Sequence, residues 1–130
     1  MATFKFELVS PERLLLSEEV EQVVVPGSEG DFAVLANHAP VMSTIRPGLL
    51  SVTSSGGTTE YVLLGGFADA GPNGLTVLAE SASEKSDFDK SMLDERISKA
   101  RDAFAAAADD LAKQKAQESV DQLSQLSGLL

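Results

Sequence analysis

Up to Ala79 the apolar positions recur with a period of two and in short runs, whereas beyond Ser83 they recur at steps of three and four. Phe4, Phe6 and Leu8 alternate with Lys5, Glu7 and Val9, the pattern of a strand with one buried face. It is about seven residues long and is broken by Ser10-Pro11-Glu12. Arg13 to Leu16 and Val20 to Val25 follow as two short runs rich in branched residues, separated by Ser17-Glu18-Glu19 and closed by Pro26-Gly27. Phe32 to Leu35 and Met42 to Arg46 form the next pair, with the corner Asn37-His38-Ala39-Pro40 between them. Leu49 to Thr53 and Thr58 to Leu64 flank the hairpin signal Ser54-Ser55-Gly56-Gly57. Phe67 to Ala70, the turn Gly71-Pro72-Asn73-Gly74, and Leu75 to Ala79 complete the series. About nine or ten short strands with a turn signal at intervals of roughly 8 to 12 residues predict an antiparallel sandwich or barrel.

The second pattern is helical. Phe88, Met92, Ile97, Ala100, Phe104 and Leu111 fall on one helix face, and Ala105 to Ala108 continues it without bulk. Ser86 or Asp87 is a suitable N-cap, and Asp87 and Asp89 bring negative charge to the positive end of the helix dipole. Asp109-Asp110, two acids where a helix C-terminus disfavours them, marks an interruption. Ala112, Ala116, Val120, Leu123 and Leu126 then define a second helix, which makes a helical hairpin. Its stripes are narrow and rich in alanine, so little apolar area is buried between the two helices.

Composition changes at the same place. Through Ala82 there are ten acids against three bases; from Ser83 onward there are ten against seven, with no proline and one glycine. The expected division is therefore a β domain over residues 1–82 and a helical unit over 86–130. The whole chain of 130 residues carries a formal charge of -10, which repels phosphate backbones and anionic lipid and argues against nucleic acid as a partner. Cysteine is absent, so no disulfide, thiolate metal site or cysteine nucleophile is available. MATFKFELVS alternates too early for a secretory or transit leader and reads as the start of the mature chain. No apolar run approaches the roughly 20 residues of a spanning helix, so membrane association is expected to run through another protein.

The stretch Pro26 to Gly48 concentrates what chemistry there is. It holds two Pro-Gly pairs, the single histidine, and Glu29 and Asp31 on either side of Gly30. Proline fixes φ and glycine permits positive φ, so the segment describes chain reversals of set shape and reads as a presented surface. His38 has no second histidine or cysteine to join in a metal site or triad, and shaping its own corner is the simpler role. Glu29 and Asp31 are followed by no calcium-loop spacing; they read as a solvated acidic turn or as an acidic contact for a basic partner. No phosphate-cradling glycine motif occurs. Gly65-Gly66 indicates a bulge or a backbone closely approached by something else. On these residues alone, a free-standing β-sandwich ligand-binding module with a helical tail remains open, and an enzyme acting through His38 is a third reading.

Gly27-Ser28-Glu29-Gly30, Asn37-His38-Ala39-Pro40, Pro47-Gly48, Gly65-Gly66-Phe67 and Leu75-Thr76-Val77-Leu78-Ala79, in that order, resemble the ε subunit family of bacterial and chloroplast F-type ATP synthases, the counterpart of mitochondrial δ. The resemblance covers nearly the whole chain. It implies an N-terminal ten-stranded antiparallel β-sandwich followed by a C-terminal two-helix antiparallel hairpin. It also implies a non-catalytic rotor subunit without cofactor, which couples rotation of a proton-driven ring to ATP synthesis. The implied partners are the γ subunit and the c ring, with the α/β catalytic head as a further contact of the hairpin. The implied location is peripheral, at the cytoplasmic face of the bacterial inner membrane. By the same resemblance Glu29, Asp31 and His38 face the polar loops of the c ring.

The likeness loosens in the helices. Relatives that bind ATP there carry Ile or Leu, Asp, two arbitrary residues, then Arg-Ala, with arginines downstream. Here Leu93-Asp94-Glu95-Arg96 brings the arginine one residue early, a rotation of about 100° around a helix. Arg101 is the only other arginine of the region, so the degenerate set Leu93, Asp94, Arg96 and Arg101 predicts no tight nucleotide binding. The second helix carries only Lys113 and Lys115 as bases. Modulation of ATP hydrolysis by an extended basic helix is therefore a weaker expectation than assembly.

Overall fold

The computed structural model describes residues 2–130. They divide into two compact units, the first ending at Ser86 and the second spanning Asp87–Leu130.

The first unit is one sheet of ten strands curled into a sandwich. In chain order these are β1 (Phe4–Val9), β2 (Leu14–Val20), β3 (Gln22–Gly27), β4 (Gly30–Val34), β5 (Val41–Ile45), β6 (Gly48–Ser54), β7 (Gly57–Leu63), β8 (Gly66–Gly71), β9 (Gly74–Ala79) and β10 (Ala82–Glu84). Neighbours run β10-β7-β6-β3-β5-β8-β9-β1-β2, and β4 pairs with β3. The period-two pattern decides which side of each strand is inside. Phe4, Phe6 and Leu8 of β1 and Leu75, Val77 and Ala79 of β9 are buried in one cluster with Val23, Val25, Leu50, Val52 and Leu63. No polar or charged side chain among the described residues is fully buried. The interior is thus held by apolar burial, worth about 1.5–3 kcal/mol for each large side chain.

The sheet has the ten strands expected of it, and three details differ from the reading of the individual runs. Ser17-Glu18-Glu19 does not separate two runs but lies within β2, paired with Glu7, Phe6 and Lys5 of β1. The break falls instead at Glu21. A tenth strand, Ala82–Glu84, pairs with β7; its three residues are too short to show any period. And β1 lies parallel to β9, with Lys5 opposite Gly74, among otherwise antiparallel pairs. A parallel pair needs a long connection between its strands, and sequence periodicity carries no sign of its direction.

β3 is the hinge between the layers. One edge pairs with β4 from Val23 to Gly27, while the other pairs first with β6, at Gln22 to Val24, and then with β5 at Gly27. Gly66 supplies the close backbone approach that Gly65-Gly66 predicts: at φ +140 a Cβ would stand 2.0 Å from the Leu78 carbonyl oxygen. The neighbour is the protein's own β9.

The second unit is the helical hairpin α1 (Lys90–Ala106) and α2 (Asp110–Leu129). The N-cap of α1 is Asp89, whose carboxylate accepts from the backbone N–H of Ser91, and not Ser86 or Asp87; residues Lys85–Asp87 form a single 3-10 turn. Asp109 does not burden the end of α1. It caps α2, accepting from Ala112 N at 2.8 Å. Leu93, Ile97 and Ala100 of α1 and Leu123 and Leu126 of α2 are the buried residues. Leu93 thus takes the place expected of Met92, which is exposed, and Phe104 and Leu111 also face outward. No helix among the described residues is long and apolar enough to cross a membrane.

Candidate functional site

β3 and β4 are joined by a two-residue turn, Ser28-Glu29, with Gly27 opposite Gly30 in the ladder. Gly30 sits at φ +133, and a Cβ on Gly27 would strike the Gly30 carbonyl oxygen at 2.7 Å, so both glycines are required by the shape of the turn. Behind the turn lies the end of β5. Ser28 N donates to Thr44 O at 2.9 Å, the Thr44 hydroxyl donates to the Ser28 hydroxyl at 2.6 Å, and Arg46 N donates to Pro26 O at 3.0 Å. Gly48 packs beneath, where a Cβ would meet Pro26 Cβ at 2.7 Å.

Arg46 completes the arrangement. Its Nη1 donates to Gly27 O and its Nη2 to Asp31 Oδ1, both at 2.6 Å. One of the two acids singled out in the sequence is therefore an ion-pair partner within the chain. Glu29, at the tip, is exposed and has no hydrogen-bond or ion-pair partner among the described residues. Arg46 was part of a strand pattern, and nothing in its local sequence marked it; the fold brings it beside a turn fifteen residues earlier.

His38 lies in the connection between β4 and β5, after Asn37 at φ 62. Its Nδ1 is 2.6 Å from Ala39 O. A carbonyl oxygen can only accept, so Nδ1 carries the proton and the ring fastens its own corner. This bond holds the corner in shape, and among the described residues the ring has no other hydrogen-bond partner.

Beside the turn runs an apolar groove of about 480 Å³ whose lining includes Thr44, Phe67, Leu78 and Val9. The register places Phe67 opposite both Thr44 and Leu78, and Leu78 opposite Val9, so these four side chains form a row across the sheet. Phe67 is 53% exposed and Leu78 52%. The sequence carried the signal: both residues are out of phase with the buried Ala68, Ala70, Val77 and Ala79. A row of large apolar side chains in solvent marks a surface that something covers.

In the hairpin, Leu93 is buried and cannot touch a ligand. Asp94 and Arg101 line one recess of about 550 Å³ together with Asp102, while Arg96 is outside it. Two carboxylates around one guanidinium make a poor receptor for a polyphosphate. Among the described residues no cluster of potential metal ligands occurs.

Comparison with known proteins identifies what carries this turn. Residues 3–85 match the model of the family described as ATP synthase, Delta/Epsilon chain, beta-sandwich domain. The chain belongs to that family. An ATP synthase epsilon chain of Mesorhizobium japonicum is 55% identical over 98% of this chain and 95% of its own length, and one of a Chelativorans species is 51% identical over 98% and 96%. Among solved structures, a chain of the Euglena gracilis mitochondrial ATP synthase (OSCP/F1/c-ring) superposes with a TM-score of 0.77. It is 23% identical, covering 99% of this chain and 82% of its own. A chain of the Tetrahymena thermophila central stalk and c-ring structure gives 0.65 at 13% identity over 95% and 96%. These two likenesses concern the fold. As a member of this family the chain is a structural or regulatory subunit of ATP synthase and not its catalytic one.

Proposed function

We propose that this chain is the non-catalytic central-stalk subunit of a proton-translocating ATP synthase, its sandwich held between the γ subunit and the c ring. In this reading it transmits ring rotation toward the catalytic head. The observation that carries the proposal is the braced, negatively charged turn at Ser28-Glu29, on a sandwich that aligns from end to end with ATP synthase epsilon chains. Charge suits a polar ring loop bearing a basic side chain, because opposite charges at a rim fix register and speed encounter. The apolar row of Phe67 and Leu78 then falls to γ, since a permanent neighbour is what keeps such a surface from solvent. His38 belongs to the ring side as a residue that shapes the adjoining corner. The protein would work at the cytoplasmic face of the bacterial inner membrane, held there by its partners.

Purification of the tagged chain from gently extracted membranes tests this. The native chain is expected to bring down an ATPase with γ and ring subunits. Changing Glu29, Asp31 and His38 together to Ala should lose the ring subunits and keep γ, whereas Phe67→Ser should lose γ. Recovery of the bare protein would leave the ligand-binding module as the better account. The hairpin is assigned no tight nucleotide site, so titration of the purified chain with magnesium-free ATP should give no signal in the micromolar range. Contact of the hairpin with the α/β head would appear as a rise in ATPase activity when residues from Ser86 onward are deleted.

A further inference from the structure

Arg46 is the only lysine or arginine between Arg13 and Lys85, and its guanidinium spans the mouth of the turn. Gly27 lies before the tip and Asp31 after it; Arg46 bonds to both at 2.6 Å, while its backbone N–H holds Pro26 O at 3.0 Å. The Arg46 side chain is 26% exposed and that of Asp31 58%. An ion pair so open to water adds little stability by itself. What the two-point contact does is geometric, because a planar fork bonded at two places fixes the turn as a lysine could not. The Asp31 and Arg46 charges also cancel, which leaves Glu29 as the uncompensated carboxylate of the turn.

From this geometry we infer a division of labour in the acidic turn: Arg46 is a positioning residue, Asp31 is its anchor and not a contact for the partner, and Glu29 alone meets the basic side chain. The inference rests on the ring-docking reading above and refines it.

The test measures ring subunits recovered per γ subunit with the tagged full-length chain, across a range of salt. Glu29→Gln should lower recovery by roughly three- to ten-fold and flatten its salt dependence. Asp31→Asn keeps an acceptor oxygen for the guanidinium and should stay within about two-fold of the native chain, with the salt dependence intact. Arg46→Ala makes the surface more negative, so simple attraction to a base would raise recovery; positioning requires it to fall by roughly three- to ten-fold. Arg46→Lys keeps the charge but not the fork and should also fall, with an unfolding midpoint close to native that separates docking from folding. The inference is overturned if Asp31→Asn flattens the salt dependence as Glu29→Gln does, if Arg46→Ala raises recovery, or if Arg46→Lys docks like the native chain. If the native chain recovers γ without any ring subunit, the ring-docking reading itself fails, and the division of labour fails with it.

Discussion

The sandwich and the hairpin are built on opposite principles. In the sandwich, strands distant in sequence close one apolar interior, with side chains such as Phe6, Leu8, Val23 and Leu75 essentially without exposure. In the hairpin, two neighbouring helices bury only Leu93, Ile97, Ala100, Leu123 and Leu126, while Met92, Phe104, Leu111 and Leu129 remain outside. The difference shows where rigidity is needed. A turn held to hydrogen-bond precision requires a stiff base, whereas a unit with so small an interior lies at the low end of local stability and opens first.

The largest effect is expected from the interior of the sandwich. Phe6→Ala empties a fully enclosed site and should cost about 3–5 kcal/mol, read as a shift of the denaturant midpoint. If the units are independent, hydrogen exchange of hairpin amides should not change; loss of protection in both would refute the contrast. Leu93→Ala should cost about 2–3 kcal/mol and act on the hairpin alone, with its helical amides exposed while those of β1 and β9 stay protected. A smaller effect is expected from Asp109→Ala, which removes the cap of α2 and should cost about 1 kcal/mol. Fraying confined to the first turn of α2 would confirm it.

The smallest effect is a pH dependence. The hydroxyl of Ser91, and then its backbone N–H, hold the Asp89 carboxyl below the usual carboxylate range. The folded chain therefore binds that proton less readily than the unfolded chain does. The contribution is complete above the unfolded value of 3.8 and is lost as pH falls below it through the lower folded pKa. Helical signal of the purified chain, followed through that acid window, should fall earlier in native protein than in Asp89→Asn, which accepts the same hydrogen bond without titrating.

Much of this was legible in the chain. Alternation at Phe4 to Leu8 and Leu75 to Ala79 defined strands and their buried faces, and the Gly-rich turns fell where ladders reverse. Helix periodicity found Ile97, Ala100, Leu123 and Leu126, yet it chose Met92 over Leu93, since Met92 makes a four-residue step from Phe88 just as Leu93 does to Ile97. Capping was misplaced for a related reason: Ser86, Asp87 and Asp89 are all competent caps, and the 3-10 turn at Lys85–Asp87 decides among them. The site was half visible. Glu29 and Asp31 announce themselves as acids on a glycine turn, but the pairing of Asp31 with Arg46 is a contact between β4 and the end of β5 that no local pattern encodes. Phe67 and Leu78 were readable as exposed from their phase, and only the sheet order showed that they lie side by side.

The parallel pairing of β1 with β9 has a consequence for how the molecule is made. Lys5 emerges from the ribosome early, and its ladder partner Gly74 follows only after most of the domain has been synthesised. The first strand must therefore wait, with only β2 beside it, until the ninth arrives. High separation between partners slows folding, and an unfinished edge is open to pairing with other chains. The helical hairpin carries no such delay, because its contacts are between neighbours in sequence. The hairpin, which follows the sheet in the chain, is thus free to form quickly, while β1 completes its pairing only when nearly the whole β domain has left the tunnel.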